Sequence, residues 1–277
     1  MAREFARTRI SLTLAATLLL AAAFPARAQS TRSAPQPMGY ENDVYCFGFV
    51  GSPQQPFVGS VVSGDAVYEQ SAFSTDDILY VDSAGDIRAG DEYWFVAPMD
   101  DVVEPGSNAY VGRFFQYLGY GKAICVKEGT AIVQVEFSCT GVSLGAELLP
   151  FEPIPVPLSR RTAPVTSCDD PSGKATGRIV YSRDGVESMG TGSDAIIDLG
   201  ADANLAPGDF LTVYRYARPR EFDITESGAL LAKREAIVVP RTMLGEAAVL
   251  TVGDHTATVR IVSSSHAIQV GDDVQIK

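Results

Sequence analysis

The sequence predicts an all-β protein built as two related small β-barrel or sandwich-like modules joined by a proline-rich linker. Three observations carry this reading. Apolar residues alternate: Ala131, Val133, Val135 and Phe137 are separated by Ile132, Gln134 and Glu136, and Ala257, Val259 and Ile261 by Thr258 and Arg260. Side chains two apart share one face of a strand, so this is the period of a half-buried sheet. Turn signals at Glu128-Gly129, Gly208-Asp209, Gly253-Asp254 and Gly271-Asp272 cut the chain into short runs rich in Val, Ile, Tyr and Phe, and no long segment keeps a helical period. Finally, the two halves resemble each other. Shifted by 118 residues, Asp76–Pro98 lies without gaps on Asp194–Tyr216, with Gly90-Asp91 on Gly208-Asp209. Shifted by 126, Leu118–Leu148 lies on Leu244–Val274, where Leu118-Gly119, Val126, Thr130-Ala131, Val133, Ser138 and Gly145 meet identical residues.

The N-terminus precedes this repeat and has its own logic. Arg3, Arg7 and Arg9 are followed by an apolar run from Ile10 to Phe24 and then by Pro25-Ala26-Arg27-Ala28. That is the basic, apolar, small-residue order of a secretory signal, so residues 1–28 are expected to be removed between Ala28 and Gln29. The apolar run, about 15 residues, falls short of the roughly 20 that span a bilayer core, and no later stretch is longer and as apolar. The mature chain is therefore expected to have no transmembrane segment and to be periplasmic or secreted. Removing 1–28 takes away four basic residues and one acidic residue. The 22 basic and 34 acidic residues become 18 and 33, and the formal net charge moves from −12 to −15. Such a balance disfavours nucleic acid and anionic lipid as partners.

Residues 29–41, rich in Ser, Pro and Gln, read as a flexible leader. The first β module follows at 42–151, with strands expected at Val44–Val50, Ile78–Val81 and Glu92–Ala97 and a closing hairpin at Gly121–Ser138. A linker at 152–172 holds Pro153, Pro155, Pro157, Pro164 and Pro171; proline at that density interrupts both ladders and helices. The second module, 173–277, repeats the plan with Gly177–Tyr181, Ile196–Leu199, Phe210–Tyr214 and Ala247–Ser263. Between its third strand and its hairpin lies an excursion, Ala217–Lys233, that mixes charges with glycine and reads as a loop.

Four cysteines remain after export, Cys46, Cys125, Cys139 and Cys168. An even count in an oxidising compartment makes them candidate disulfide cysteines. If Glu128-Gly129 is a two-residue turn, Cys125 lies opposite Ile132 and Cys139 opposite Leu118. The two are then roughly 23 Å apart along the ladder at strand rise, whereas a disulfide needs Cα atoms within about 7 Å. Cys125–Cys139 is thereby disfavoured. If all four pair, Cys46 joins Cys125 or Cys139 and Cys168 takes the other; cysteines left buried and free are the alternative.

The second half carries Leu205-Ala206-Pro207-Gly208-Asp209-Phe210-Leu211-Thr212-Val213-Tyr214-Arg215, then Leu244-Gly245-Glu246-Ala247-Ala248-Val249-Leu250, and closes on Ile268-Gln269-Val270-Gly271-Asp272-Asp273-Val274. This resembles the small β-barrel at the C-terminus of the flagellar assembly protein T family, and the related segment that follows LysM modules in envelope proteins. The resemblance covers about residues 177–277 and, more faintly, 44–151. It implies a fold, and it implies no catalytic residues.

Two motif matches fail on context. Gly141-Val142-Ser143-Leu144-Gly145 has the nucleophile-elbow spacing, but that device needs a helix after the serine, and here prolines follow. The chain's histidines, His255 and His266, fall at a turn and beside a strand start. Gly190-Thr191-Gly192-Ser193-Asp194-Ala195 has dinucleotide-loop spacing but leads into a strand. The acidic pairs Asp76-Asp77, Asp100-Asp101, Asp169-Asp170 and Asp272-Asp273 lack calcium-loop spacing and read as solvated turns. The aromatics Tyr93, Trp94, Phe95, Phe114, Phe115, Tyr117 and Tyr120 are core by default, with a glycan-stacking or protein-binding patch as the sharper alternative. No catalytic residue, metal site or cofactor is assigned. The expectation is an exported, non-enzymatic envelope protein with a binding, assembly or scaffolding role, its partner an envelope protein or cell-wall glycan. The alternative is a secreted enzyme acting on cell-wall or polysaccharide substrates.

Overall fold

The computed structural model describes residues 35–65, 70–83, 86–159, 163–216 and 240–277. The signal segment 1–28 and the excursion 217–233 lie outside the described residues. After a two-residue strand at Gln36–Pro37 come a five-residue helix α1 (Glu41–Tyr45) and a short strand β1 (Phe49–Gly51). Six longer strands follow, beside the two-residue strands Ala72–Phe73 and Val142–Ser143: β2 (Gly59–Gly64), β3 (Ile78–Ser83), β4 (Glu92–Val103), β5 (Tyr110–Lys127), β6 (Thr130–Ser138) and β7 (Glu147–Pro150). Six more complete the chain: β8 (Thr176–Ser182), β9 (Asp194–Ile197), β10 (Phe210–Tyr216), β11 (Arg241–Val252), β12 (Ala257–Ser264) and β13 (Asp273–Ile276).

The first set closes into a ring in the order β5-β4-β7-β2-β3-β6, with β6 pairing back onto β5; the second closes as β11-β10-β13-β8-β9-β12. Each strand of the second barrel occupies the ring position of the strand six labels before it. Closure leaves neither ring with an unpaired edge. Alternation fills each interior: Val61, Leu79, Val81, Phe95, Ala131, Val133, Val135 and Leu148 in the first barrel, and Ile179, Ala195, Ile197, Val213, Ala257, Val259, Ile261 and Val274 in the second.

The repeat extends to single hydrogen bonds. Gly90 N–H donates to the Ala123 carbonyl at 2.7 Å and Gly208 N–H to Val249 at 2.9 Å; Gly145 N–H donates to Val61 and Gly271 N–H to Ile179, both at 2.8 Å. The ladder corrects the sequence alignment in one place. Leu79 pairs with Val133 and Ala195 with Val259, so β3 and β9 correspond at a shift of 116 and not 118. A two-residue slip keeps every side chain on its face, because the strand period is two, and the intervening loop absorbs the difference before Gly90.

A second correction concerns the first strand. The stretch Val44–Val50 is not the counterpart of Gly177–Tyr181. That counterpart is β2, whose Ser60 pairs with Glu147 as Arg178 pairs with Asp273. Glu41–Tyr45 is helical, and β1 pairs outside the ring with the extended half of β5, Phe49 opposite Phe115. The leader and linker also pair with one another, Gln36 with Ser159 and Pro37 with Leu158. Among the described residues no helix is long and apolar enough to cross a membrane.

Candidate functional site

Residues 40–51 form a strap between the barrels. On one side they belong to the first barrel. Cys46 is disulfide-bonded to Cys139, with Cα atoms 5.5 Å apart, and Tyr45 packs edge-on against Trp94 at 5.0 Å between ring centroids. Val44, Tyr45, Trp94 and Val96 make a buried cluster against which Phe49, Tyr117, Tyr120, Phe151, Ile154 and Val156 pack. The linker residues in that set cover the outer face of the first barrel. The concentration of aromatics noted in the sequence is therefore a second core layer beneath strap and linker, not an exposed stacking strip.

On the other side the strap grips the second barrel. Asp43 pairs with Arg260, which also makes a bidentate contact to Asp194 at 2.7 and 2.8 Å. Arg183 donates to the Cys46 carbonyl and lies over the Phe47 ring, 4.9 Å from its centroid. Thr258 Oγ1 donates to the Gly48 carbonyl at 3.3 Å. Gly48 has φ +130°, and a Cβ there would sit 2.1 Å from the Phe115 carbonyl oxygen, so only glycine lets the strap pass this close to β5. Phe47, Val102 and Phe114 from the first half pack with Val180 and Ile196 from the second in one buried cluster. Arg178 adds ion pairs to Glu104 at 3.6 Å and Asp273 at 3.3 Å.

The charges in this seam are set by burial and pairing together. Burial raises the Asp194 carboxyl, and the Arg260 hydrogen bond and charge offset this only in part, leaving it above the usual aspartate range. Burial acts upward on Asp43 too, but hydrogen bonds from Arg260 and the Tyr40 N–H outweigh it and hold that carboxyl low. A guanidinium shared by two carboxylates is strongly held in its charged form.

Two depressions open along the seam. One, of about 330 Å³, is lined by Phe49, Val50, Tyr117 and Ile154 from one side and by Ile196, Pro207, Leu250, Thr251 and Thr258 from the other, with no charged side chain in its wall. The second, of about 900 Å³, lies between Pro105-Gly106 and Arg178, Arg215, Tyr216 and Gln269–Asp273. Its deepest acid, Asp272, accepts two hydrogen bonds from Arg215, at 2.5 and 2.8 Å, and so is occupied as a structural ion-pair partner.

The candidate chemistry of the sequence is dispersed. Ser143 lies in a two-residue strand paired with Ala72-Phe73. His255 bonds Asp202 at 2.7 Å at an exposed turn, and His266 contacts Ser265 at 3.1 Å. No serine, histidine and acid converge among the described residues. Asp77 accepts from the Ser74 N–H, Asp101 pairs with Arg113 at 2.8 Å, and Asp169 accepts from Thr166; each is committed to its own turn or strand pair. Among the described residues no three His, Cys, Asp or Glu side chains gather as a metal site. Cys125 and Cys168 are free and exposed. The residues that build the seam, Asp43, Arg183, Thr258 and Arg260, were not singled out by sequence. The one local signal was an arginine at an outward position of the otherwise Ala-Thr-Val-x-Ile strand. No family model and no curated protein matches the chain.

Proposed function

We propose that this chain is an exported, non-enzymatic envelope protein whose two barrels act together in binding, assembly or scaffolding. The observation that carries this reading is the strap. One segment is bonded covalently to the first barrel and holds the second through Asp43, Cys46, Phe47 and Gly48. It thereby presents two modules as one body around an uncharged cleft. A cleft lined by apolar walls and a few hydroxyls suits recognition more than group transfer. The disulfide adds support for export, since such bonds persist in oxidising compartments. The resemblance of residues 177–277 to envelope-associated barrels points the same way at the level of fold.

Fractionation of the native host tests the proposal. The protein should be recovered from the periplasm or medium beginning at Gln29, and it should co-sediment with purified sacculi or be retained by one defined envelope protein. Recovery of intact residues 1–28 on cytosolic protein would overturn the export reading. Release of soluble fragments from sacculi by the purified chain would overturn the non-enzymatic one.

A further inference from the structure

The two barrels are built alike but are not equally covered. In the second barrel the outward row Thr251–Thr258–Ile196 crosses β11, β12 and β9 and continues to Val180 on β8. This row is where the strap and Phe114 dock, and Ile196 and Val180 are 1% and 4% exposed. The same row of the first barrel is Cys125–Ile132–Tyr80, continuing to Val62. No described segment covers it: Val62 is 52% and the neighbouring Ile124 50% exposed, and Cys125 carries a free thiol. An apolar row that is buried in one copy and open in its structural twin marks an unfilled contact surface.

We propose that the outer face of β3, β6 and β5 docks a second copy of this chain about a two-fold axis running along β6. The charges beside the apolar row select this partner. One outward row beyond it holds Lys127 on β5, Thr130 on β6 and Asp82 on β3, cross-paired in that order. Lys127 and Asp82 are both exposed, and neither has an ion-pair partner among the described residues. Between residues 42 and 151 the cations are Arg88, Arg113, Lys122 and Lys127; Arg88, Arg113 and Lys122 pair with Asp86, Asp101 and Glu92, which leaves Lys127 on this face. A two-fold axis along β6 lays β5 of one copy over β3 of the other. Lys127 then meets Asp82 of the second copy and Asp82 meets its Lys127, while Cys125 and Ile132 pack against the other copy's Tyr80 and Ile132. An isologous interface requires this self-complementarity.

The two free thiols make the test internal. The purified mature chain is pulse-alkylated with a maleimide over a concentration series from about 1 to about 200 μM, with mass measured by light scattering, because association is driven by concentration. A dimer should form, and alkylation of Cys125 should slow by about tenfold while that of Cys168, which is not part of this face, stays constant. Asp82→Lys and Lys127→Asp should each return the chain to a monomer with Cys125 fully reactive, and the double exchange should restore the dimer. Circular dichroism of each variant separates loss of association from loss of folding. A monomer throughout the series, or a dimer in which Cys125 reacts as fast as in the monomer, would overturn the proposal.

Discussion

Cys46 and Cys139 stand 93 residues apart in sequence, and a disulfide joins them with their Cα atoms 5.5 Å apart. The bond ties the strap to the end of β6, and the strap's next residues, Phe47 and Gly48, join Asp43 and the Cys46 carbonyl in touching the second barrel. Cys46→Ser should therefore lower stability by about 2–4 kcal/mol, the range for closing a long loop. The measurement is urea unfolding of the wild type and variant in the absence of reductant. In the same samples, unfolded unreduced protein should expose the thiols of Cys125 and Cys168 only, and reduction should add Cys46 and Cys139. Peptide mapping that found Cys125 bonded to Cys139 would contradict the ladder, in which Cys125 lies opposite Ile132.

A close backbone approach recurs in both barrels. At Gly245 a Cβ would lie 2.1 Å from the Ser263 carbonyl oxygen, and at Gly119 the corresponding distance to Phe137 is also 2.1 Å. Gly245→Ala should force β11 and β12 apart and cost about 1–3 kcal/mol, as insertion of a methyl group into packed structure does. Gly190→Ala is the matched control: its Cβ would meet nothing nearer than the Ser264 hydroxyl at 3.7 Å, so its unfolding midpoint should stay within error of the wild type.

Much of the barrel architecture was legible from the sequence, because closed antiparallel rings write their interior into period-two alternation and their corners into Gly-Asp turns. The Glu128-Gly129 turn, with both residues at positive φ, set the register that kept Cys125 away from Cys139. The strap was not legible. Val44, Tyr45, Phe47, Phe49 and Val50 look like a strand because they are apolar and aromatic, but they serve two different surfaces, and a segment shared between two bodies has no single period. The seam was hidden for a related reason. Arg260 and Asp194 sit at outward positions that read as solvent-facing, and only the arrival of Asp43, more than 150 residues earlier in the chain, turns them inward. The 116-residue offset of β9 escaped because a shift of two residues leaves the alternation unchanged.

His255 offers a direct electrostatic test. Its Nδ1–H donates to the Asp202 carboxylate at 2.7 Å, and that hydrogen bond and the charge of Asp202 raise the ring's pKa above the ordinary imidazole value. A histidine raised in the folded state binds its proton more tightly than in the unfolded chain. Its contribution is therefore present below the unfolded value and is lost as pH rises through the folded one. In an NMR titration the His255 ring protons should change shift at a higher pH than those of an unperturbed imidazole, and Asp202→Asn should bring that midpoint down. A midpoint unmoved by Asp202→Asn would show that the pair does not form in solution.

Arg260 is where the seam should be most sensitive. Its side chain is 16% exposed and bonds Asp194, itself 10% exposed, while also meeting Asp43 at 21%. Arg260→Met keeps much of the apolar stem but leaves two carboxylates facing each other without a cation. Removing one partner of a buried pair typically costs about 3–5 kcal/mol, most of it from the charge left behind. Asp43→Asn should cost less, because Arg260 keeps its bidentate contact with Asp194. The pH dependence distinguishes this mechanism from simple loss of packing. Burial already holds the Asp194 carboxyl above its usual range, with Arg260 pulling it down; without Arg260 it should rise further. A carboxyl whose folded pKa exceeds its unfolded value takes up its proton preferentially in the native state, so the native state gains stability as pH falls through that folded value. The stability gap between wild type and Arg260→Met should therefore narrow between neutral pH and mildly acidic pH in urea unfolding. A gap that stays constant over that range would assign the loss to packing and not to the orphaned Asp194 charge.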